Sequence, residues 1–411
     1  ALNQDMALAL AAHPIIIEAP IPGKSLVGIE VPNKVAALVR LGSLILYPEF
    51  QEGGSLNFAL GRNVSGDPVF TDISKMPHLL VAGATGSGKS IAIHSMIVSL
   101  LYRNSPEMMK MILVDPKRVE LSIYNNIPHL LAPVITENKK AIGALRWAIQ
   151  EMERRYQILM EAGSRDIKSY NKKNTEEPLS YILIVIDELA DLMASYGREI
   201  EGSIIRLAQM ARATGIHLVV STQRPSVEVI TGLIKANITS RIALQVASQI
   251  DSRTILDSSG AEKLLGHGDL LFITSDLSKP KRVQGSFITE DEIKKVVQFI
   301  NKNNPISEEA EETSENITEE VISLGEKHEN YLGGADKSKS INFDEYNGNG
   351  EEDELYEEAV EMVREAKKAS ASLLQRRLRI GYARAARLID IMEERGVVGP
   401  GEGAKPRDIL L

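Results

Sequence analysis

The central part of the chain alternates short apolar runs with longer segments of helical periodicity. Runs typical of strands lie near 79–83, 110–115, 181–187, 216–222, 240–246 and 269–273, and helical segments lie near 89–103, 138–162, 198–213 and 228–236. Strands that alternate with helices form a parallel sheet covered on both faces. The pattern therefore predicts an α/β domain over residues 73–300, with ligands bound at the carboxyl ends of its strands.

The two ends of the chain follow other patterns. Residues 1–72 mix short apolar runs at 14–18 and 26–31 with Pro, Gly and one helix candidate at 34–41. Such a mixture predicts a small α+β module. Three helical segments and a Gly-rich turn predict a C-terminal winged helix over residues 353–411.

A Gly-rich stretch separates the first central strand from the helix that follows it. Its residues are Gly83, Ala84, Thr85, Gly86, Ser87, Gly88, Lys89 and Ser90. They match the pattern Gly-x-x-x-x-Gly-Lys-Ser, in which backbone N–H groups surround a phosphate and glycines keep side chains out of the turn. In this pattern Lys89 reaches the β- and γ-phosphates, and the hydroxyl of Ser90 holds Mg²⁺. An ordinary Gly-rich turn is the weaker alternative, because the motif stands in its required strand, loop and helix context.

Two carboxylates follow the most apolar of the predicted strands. Asp187 and Glu188 come directly after residues 181–186, and burying them carries a desolvation cost that a bound cation offsets. We predict that Asp187 holds Mg²⁺ through water and that Glu188 deprotonates the water that attacks the γ-phosphate. The alternative is an Asp that caps the next helix and a solvated Glu. The nearby phosphate loop favours the catalytic pair.

Other polar residues at the ends of elements each allow two interpretations. Gln223 follows the strand at 216–222 and either senses the γ-phosphate or belongs to a turn. Asp115 and Lys117 follow another strand and either support the site or form a turn. Arg212, near the end of a predicted helix, is placed either as an arginine finger for a neighbouring subunit or as a cation that stabilises the helix terminus.

Composition narrows the class of protein. The 411 residues suffice for two or three domains, and the absence of Cys excludes disulfides and thiolate metal sites. We find no apolar run of about 18 residues and no signal-peptide pattern, so we expect this chain to be cytoplasmic. Because it begins at Ala1 without Met, we also expect a segment upstream.

The net charge of −9 is unevenly distributed along the chain. Residues 301–354 carry 16 acidic and 4 basic residues, so the rest of the chain has a net charge of +3. Many Glu, Ser and Asn with few aromatics predict a flexible acidic linker at 301–352, for which an inert tether is favoured over a role in repelling DNA. Residues 364–387, by contrast, carry 8 basic residues and 1 acidic residue, which is typical of a DNA-binding face.

Several motifs taken together resemble the FtsK/SpoIIIE family of bacterial DNA translocases. They are the phosphate loop, Asp187-Glu188, the segments 221–227 and 232–237, and the segment 251–257. The resemblance covers most of residues 1–300 and resumes at about 353. It implies a RecA-like P-loop ATPase core that binds ATP and Mg²⁺ and assembles as a homohexameric ring around double-stranded DNA.

The resemblance also implies roles for single residues. Arg212 matches the arginine finger that acts across subunits. Arg224, Lys235 and Arg253 match residues that line the pore and touch phosphates, which suits a motor because phosphate contacts carry no sequence information. Gln249 stands where relatives often carry Lys, so we expect one pore contact to be weaker here.

In the tail, the run 379–387 matches the DNA-reading domain of the family. The resemblance makes Arg384 and Arg387 candidate DNA contacts, with Arg387 at base edges, while Ala383 and Asp390 replace an Asn and a Glu of relatives. The recognised DNA sequence therefore stays open. The resemblance further implies a site-specific recombinase as a partner of this domain, and inner-membrane anchoring of full-length relatives at the septum through upstream segments.

Three functions compete at this point. The leading hypothesis is an ATP-driven double-stranded DNA translocase for chromosome segregation at cell division, with its direction set by the winged helix. The second is a conjugative or HerA-like DNA pump. The third is a sequence-specific DNA-binding regulator whose P-loop only switches oligomeric state. The complete Asp187-Glu188 pair argues against the third, and steady ATP turnover stimulated by DNA would separate it from the two motors.

Overall fold

The structure is a computed structural model that describes residues 2–18, 25–304 and 308–326 and short pieces between 359 and 398. The chain divides into two compact units, residues 1–333 and 334–411. In the first unit the strands are β1 (Ile16–Glu18), β2 (Gly28–Glu30), β3 (Asn57–Asn63), β4 (Pro68–Asp72), β5 (His78–Ala82), β6 (Met109–Val114), β7 (Tyr181–Ile186), β8 (Ile216–Thr222), β9 (Ser240–Leu244), β10 (Asp269–Ile273) and β11 (Lys281–Gly285).

The helices of this unit flank the strands. They are α1 (Leu2–Ala9), α2 (Leu41–Leu44), α3 (Pro48–Gln51), α4 (Lys89–Arg103), α5 (Asn138–Glu161), α6 (Ile167–Lys173), α7 (Leu189–Met210), α8 (Gly232–Asn237), α9 (Gln249–Leu256), α10 (Glu290–Asn303) and α11 (Glu308–Glu326). The six predicted central strands are confirmed as β5 to β10, and α4 and α5 also match their predictions. Two predicted bounds were wrong, because α7 begins at Leu189 rather than near 198, and α8 begins at Gly232 rather than near 228.

Nine strands form one sheet in the order β4-β3-β11-β10-β9-β5-β8-β7-β6. The five strands from β9 to β6 are parallel, whereas β10, β11, β3 and β4 pair antiparallel. The prediction of a parallel strand at 269–273 was therefore wrong. Residues 257–268 return to the carboxyl edge, where the N–H of Gly268 bonds the carbonyl of Ser87, and β10 starts from that edge and runs in the opposite direction.

Alternate residues of the parallel strands face two separate apolar cores. On β5, for example, Leu80 packs in the core that contains α5 and α7, while Leu79 packs in the core that contains α4 and α10. This is the burial pattern expected when helices cover both faces of a parallel sheet. The two cores hold the sheet from both faces, and the carboxyl ends of β5, β7 and β8 lie side by side at one of its edges.

The region before residue 72 differs from its prediction in one element. No helix covers 34–40, and α2 begins only at Leu41. Val35 and Leu38 are exposed, so a helix there would have no core to cover. The apolar runs at 14–18 and 26–31 form the antiparallel pair β1-β2, and β3 and β4 extend the large sheet through β11. The boundary between residues 72 and 73 stays a prediction.

Part of the predicted linker is folded. Residues 301–303 belong to the end of α10. Helix α11 packs against α5, and its Val321 and Leu324 are buried in the core on that face of the sheet. The helices approach closely, because a Cβ at Gly143 would overlap the Val321 carbonyl oxygen and one at Gly325 would lie 2.7 Å from the Lys139 carbonyl oxygen. The flexible-linker interpretation is thus corrected for residues 308–326, and its part from 327 to 352 lies outside the described residues.

The second unit is described only in part. A small apolar cluster there contains Ala359, Val360, Val363, Ala369, Leu388, Ile389, Met392, Val397 and Val398. Leu388, Ile389 and Met392 of this cluster lie within the predicted winged helix. Most of the predicted winged helix lies outside the described residues.

Candidate active site

The predicted site residues of the first unit converge where β5, β8 and β7 end. Ala82 pairs with Thr222, and Ile186 pairs with Val220, so the residues after each strand emerge next to one another. The phosphate loop follows β5, the two carboxylates follow β7, and Gln223 follows β8. Parallel strands thus bring three distant sequence motifs to one edge of the sheet.

The phosphate loop needs its glycines for two different reasons. Gly86 and Gly88 have φ of 80° and 102°, a backbone conformation that residues with side chains rarely adopt. A Cβ at Gly88 would in addition lie 2.6 Å from the backbone nitrogen of Gly268, the residue that braces the loop. Thr85 and Gly86 are exposed, so the loop opens to solvent on the side where a phosphate would enter.

Lys89, the first residue of α4, is buried among polar atoms. Its Nζ donates to the carbonyl and to Oδ1 of Asp187, both at 2.7 Å, and to Oγ of Ser221 at 3.1 Å. Burial nevertheless raises the pKa of the Asp187 carboxyl, while Lys89 acts against that shift. The Asp187 carboxylate therefore carries an unrecovered desolvation cost, which a second cation would reduce.

Glu188 is fully buried, and its carboxylate accepts hydrogen bonds from three residues. Thr222 Oγ1 donates to Oε1 at 2.6 Å, Lys117 Nζ donates to Oε2 at 2.9 Å, and the Gln223 N–H lies 3.2 and 3.3 Å from the two oxygens. Burial raises the pKa of Glu188, but the donors Thr222 and Lys117 outweigh it, so the net pKa is lowered. Glu188 is ionised at neutral pH, as a general base must be.

The alternative interpretation, in which Asp187 caps the next helix and Glu188 is solvated, does not agree with the contacts. Glu188, not Asp187, occupies the N-cap position of α7, and its side chain makes no capping hydrogen bond. Of the two interpretations of Asp115 and Lys117, support of the site fits the geometry. Lys117 contacts Glu188, and Asp115 is buried with Oδ2 accepting the N–H groups of Glu120 and Leu121.

The oxygen atoms around Ser90 fit the ligands of a magnesium ion. Ser90 Oγ donates its proton to Glu120 Oε1 at 2.7 Å, which leaves the oxygen lone pairs free for a cation. Asp187 Oδ2 and Asp115 Oδ1 are buried, and neither has a hydrogen-bond partner in the described residues. No group of three or more His, Cys, Asp or Glu in that part of the chain is arranged to hold a metal alone. Mg²⁺ is usually held by one or two protein ligands together with substrate phosphates, and the Ser90 hydroxyl and the Asp187 carboxylate are ligands of that kind.

Gln223 contacts both of its neighbours at this edge. Its Oε1 accepts a hydrogen bond of 3.0 Å from Thr85 Oγ1 in the phosphate loop, and its N–H faces Glu188. Gln223 therefore links the phosphate loop, through its side chain, to the carboxylate of Glu188, through its backbone N–H. Its role as a sensor of the γ-phosphate stays a prediction.

Arg212 is not part of this cluster. The helix ends at Met210 rather than near residue 213, so Arg212 lies in the turn before β8 and not on a helix. It is exposed at the amino edge of the sheet, at the opposite end of β8 from Thr222. The structure thus separates Arg212 from the phosphate loop of its own chain.

The predicted DNA contacts occupy several places. Arg224 is exposed directly after β8, and Arg253 is exposed on α9. Lys235 on α8 donates to Asp257 Oδ1 at 2.7 Å, and Asp257 also pairs with Arg241 at the start of β9. Lys235 would therefore have to leave an ion pair to reach a phosphate. Arg384 and Arg387 lie outside the described residues, as do Ala383 and Asp390.

Ser221 and Glu120 make contacts in the site that the sequence did not predict. Ser221 accepts from Lys89 and donates to the Asp187 carbonyl, and Glu120 holds the hydroxyl of Ser90. A signal for Ser221 was present, since a polar residue at the end of an apolar strand indicates a site. Glu120 gave none, because its place depends on the turn that Asp115 fixes.

Comparison with family models covers both ends and the centre of the chain. The model of the FtsK/SpoIIIE family matches residues 47–227, that of the FtsK alpha domain matches residues 1–33, and that of the FtsK gamma domain matches residues 350–411. Among the described residues, no helix has the length and apolar character needed to cross a membrane.

Two relatives align with the whole chain. The protein named DNA translocase FtsK of Caldanaerobacter subterraneus subsp. tengcongensis is 55% identical over 411 residues, which are 100% of this chain and 54% of the relative. The protein named DNA translocase SpoIIIE of Bacillus subtilis is 52% identical over 421 residues, again 100% of this chain and 50% of the relative. The chain thus spans about half the length of these relatives.

A solved structure shares the fold of most of this chain. The conjugation coupling protein TcpA of pCW3, in a monomer form with ATPγS, superimposes with a TM-score of 0.58 at 29% identity. The superposition covers 72% of this chain and 84% of TcpA.

Proposed function

Because the chain belongs to the FtsK/SpoIIIE family, we propose that it is an ATP-driven motor that moves double-stranded DNA. The observation that carries the proposal is the position of Glu188. It is ionised and buried, it follows the candidate metal ligand Asp187, and it touches Gln223, which bonds the phosphate loop. A mere nucleotide-controlled switch has no need of a general base at that point.

In the proposed reaction, the chain binds ATP at residues 83–90 and hydrolyses it at the carboxyl edge. Lys89 would exchange Asp187 and Ser221 for the β- and γ-phosphates, while the N–H groups of the loop surround the phosphate chain. Ser90 and Asp187 would hold Mg²⁺, which neutralises charge on the phosphates when bound. Glu188 would take a proton from the attacking water, and Gln223 would orient that water or sense the γ-phosphate.

We further propose a homohexameric ring with duplex DNA in its pore. Arg212 is exposed far from its own phosphate loop, which supports a role at the nucleotide of a neighbouring subunit. Arg224, Lys235 and Arg253 would contact DNA phosphates. Such contacts bind any sequence and so allow steady movement along a duplex.

The C-terminal region supports the finer part of the proposal. Residues 350–411 match the FtsK gamma domain, and we propose that this region reads polar DNA sequences, sets direction through Arg384 and Arg387, and contacts a site-specific recombinase. The cellular role would be chromosome segregation at the septum. There the cytoplasmic chain would be tied to the membrane through upstream segments.

A second candidate is a conjugative DNA pump, which the likeness to TcpA favours. That likeness covers 72% of the chain, whereas the two named translocases align with all of it, including the gamma region. We therefore rank the segregation motor first.

Displacement of a third strand from duplex DNA tests the proposal directly. A template carries a triplex-forming oligonucleotide beyond a free stretch of duplex, and its release is followed with ATP, with a non-hydrolysable analogue and with the Glu188→Gln variant. We expect release with ATP and wild-type protein only. Robust ATP turnover without any release would contradict translocation, and release with the analogue would contradict a motor driven by hydrolysis.

A further inference from the structure

The carboxylate of Glu188 is closed to water by its own donors, because its side chain has no solvent exposure. Three protons point at its two oxygens, from Thr222 Oγ1, from Lys117 Nζ and from the Gln223 N–H, which is shared between both oxygens. A general base must contact the water whose proton it takes. At least one of these donors therefore has to move before Glu188 can act.

Thr222 is the donor that also contacts the chain leading away from the site. Its hydroxyl oxygen accepts the N–H of Arg224 at 3.0 Å, while its proton is given to Glu188 Oε1. Thr222 is completely buried, whereas Arg224 is exposed. One hydroxyl thus lies between the buried carboxylate and the exposed loop that begins at Arg224.

The hydroxyl of Thr222 has a second acceptor within reach. The carbonyl oxygen of Arg224 lies 3.4 Å from Oγ1, against 2.6 Å for Glu188 Oε1. A hydroxyl has one proton, so it donates fully to only one of the two. A small inward shift of the Arg224 backbone would make its carbonyl the better acceptor and would release Oε1 of Glu188.

We propose that Thr222 is a positioning residue that restrains Glu188 in the absence of DNA. When duplex DNA binds at Arg224, the Thr222 hydroxyl donates to the Arg224 carbonyl instead of Glu188, and the restraint is removed. The inference deepens the proposed function and rests on it, because Glu188 as base and Arg224 as DNA contact belong to that function. Lys117 holds the other oxygen from the solvent side, where its side chain is 36% exposed and can exchange Glu188 for water. DNA therefore activates hydrolysis by removing a restraint.

The test compares Thr222→Val, which has nearly the same shape without a hydroxyl, with Thr222→Ser, which keeps the hydroxyl. ATP turnover and KM for ATP are measured with and without a duplex of random sequence. For Thr222→Val we expect turnover without DNA to rise, so that stimulation by DNA falls about fivefold or more, as for loss of a coupling between two sites. Thr222→Ser should keep the wild-type ratio, and KM should change little in both variants.

Three outcomes for the Thr222 variants would overturn the inference. If Thr222→Val loses turnover in proportion with and without DNA, Thr222 is only structural and the inference is wrong. An unchanged ratio, or Thr222→Ser behaving like Thr222→Val, would overturn it too. If wild-type turnover does not respond to DNA at all, the proposed function itself fails.

A second variant keeps the inference testable should Thr222→Val fold poorly, which a thermal unfolding scan will reveal. Lys117→Met removes the other restraint from a position at the surface. It should also raise turnover without DNA, and Lys117→Arg should restore the wild-type ratio. A Lys117→Met protein whose DNA-free turnover is unchanged or lower would contradict a restrained Glu188.

Discussion

The two ends of the same parallel strands bury different titratable groups. At the carboxyl edge of β5, β7 and β8, Lys89 and Asp187 are both buried as a charged pair, and Glu188 is buried against Lys117. At the amino edge, His78 and His217 are buried with ring centroids 6.3 Å apart. Burial, aided by the charge of Arg212, lowers the pKa of His78 to about 3 and that of His217 to about 4, so both rings stay neutral.

The comparison shows which buried charges are fully paired. At the amino edge Arg155 is buried too, but it pairs with Glu151 and donates to the carbonyls of Ser180 and Thr214, the residues just before β7 and β8. At the carboxyl edge Asp187 Oδ2 is buried without a hydrogen-bond partner among the described residues. The desolvation cost of that oxygen is understandable if the carboxyl edge handles phosphates and a cation.

Breaking the buried pair at the carboxyl edge should have the largest consequence. Lys89→Ala removes the cation that meets the phosphates, so we expect no turnover above background. It also leaves Asp187 buried without its partner, which costs about 3–5 kcal/mol of unfolding free energy. ATP turnover and denaturant unfolding measure the two effects. The double variant Lys89→Ala/Asp187→Asn should regain much of the stability but none of the turnover, and any recovery of turnover would contradict the site.

The exposed arginine of the amino edge should matter only across subunits. Arg212→Ala is expected to lower turnover by about 10³-fold or more, the range of an arginine finger, with nucleotide binding retained. Mixing it with Glu188→Gln should restore part of the turnover, because intact sites then meet intact arginines. Mixed assemblies are verified with two affinity tags. Verified mixing without rescue at any ratio would place Arg212 outside the neighbouring site.

The buried histidines predict acid sensitivity that arises at the amino edge. Since their folded pKa values are lowered from 6.5 to about 3 and about 4, the unfolded chain binds more protons below about pH 6.5. Their contribution to stability is full above pH 6.5 and is lost as the pH falls toward 4. Urea unfolding between pH 7 and pH 5 should therefore show a slope of at most about 1.4 kcal/mol per pH unit for each histidine.

The variants His78→Asn and His217→Asn keep a polar atom at the place of Nδ1. In His78 this atom accepts the Leu218 N–H, and in His217 it donates to the Pro77 carbonyl. Each should reduce that slope, while His13→Asn, at an exposed position, should not. An unchanged slope in both buried variants would mean that other groups control the acid response.

The smallest effects are expected for single DNA contacts. Lys235→Ala and Arg253→Ala should each lower the slope of log K against log salt by about one unit, uniformly over DNA sequences. Lys295→Ala is the matched control, because Lys295 is exposed on α10, which packs against the other face of the sheet. A slope equal to that of the control would remove either residue from the DNA interface.

Sequence reasoning reached the site because its motifs are local. The phosphate loop, Asp187-Glu188 and Gln223 each follow an apolar strand, and the parallel topology alone brings them together. Thr222 and Lys117 were visible as polar ends of strands, but their contact with Glu188 depends on strand order. That order is set by which edges pair, and the hydrophobic pattern does not encode it.

The acidic segment after residue 304 shows the opposite case. Its average composition predicts a linker, and yet Ile317, Val321 and Leu324 are spaced as one helical face and pack on α5. The close approach of that face depends on Gly143, more than a hundred and fifty residues away in the chain. The average composition of the segment does not reveal its narrow apolar face. No local pattern predicts that this face packs closely against Gly143.

The central claim is that the carboxyl edge hydrolyses ATP with Glu188 as base and in response to duplex DNA. The most direct measurement is steady-state turnover of wild type and Glu188→Gln, with and without duplex, next to nucleotide binding followed with a fluorescent ATP analogue. We predict DNA-stimulated turnover in the wild type, and in Glu188→Gln similar binding with turnover reduced by about 10²–10⁴-fold. Turnover near the wild-type rate in Glu188→Gln, or loss of binding in step with turnover, would contradict the account.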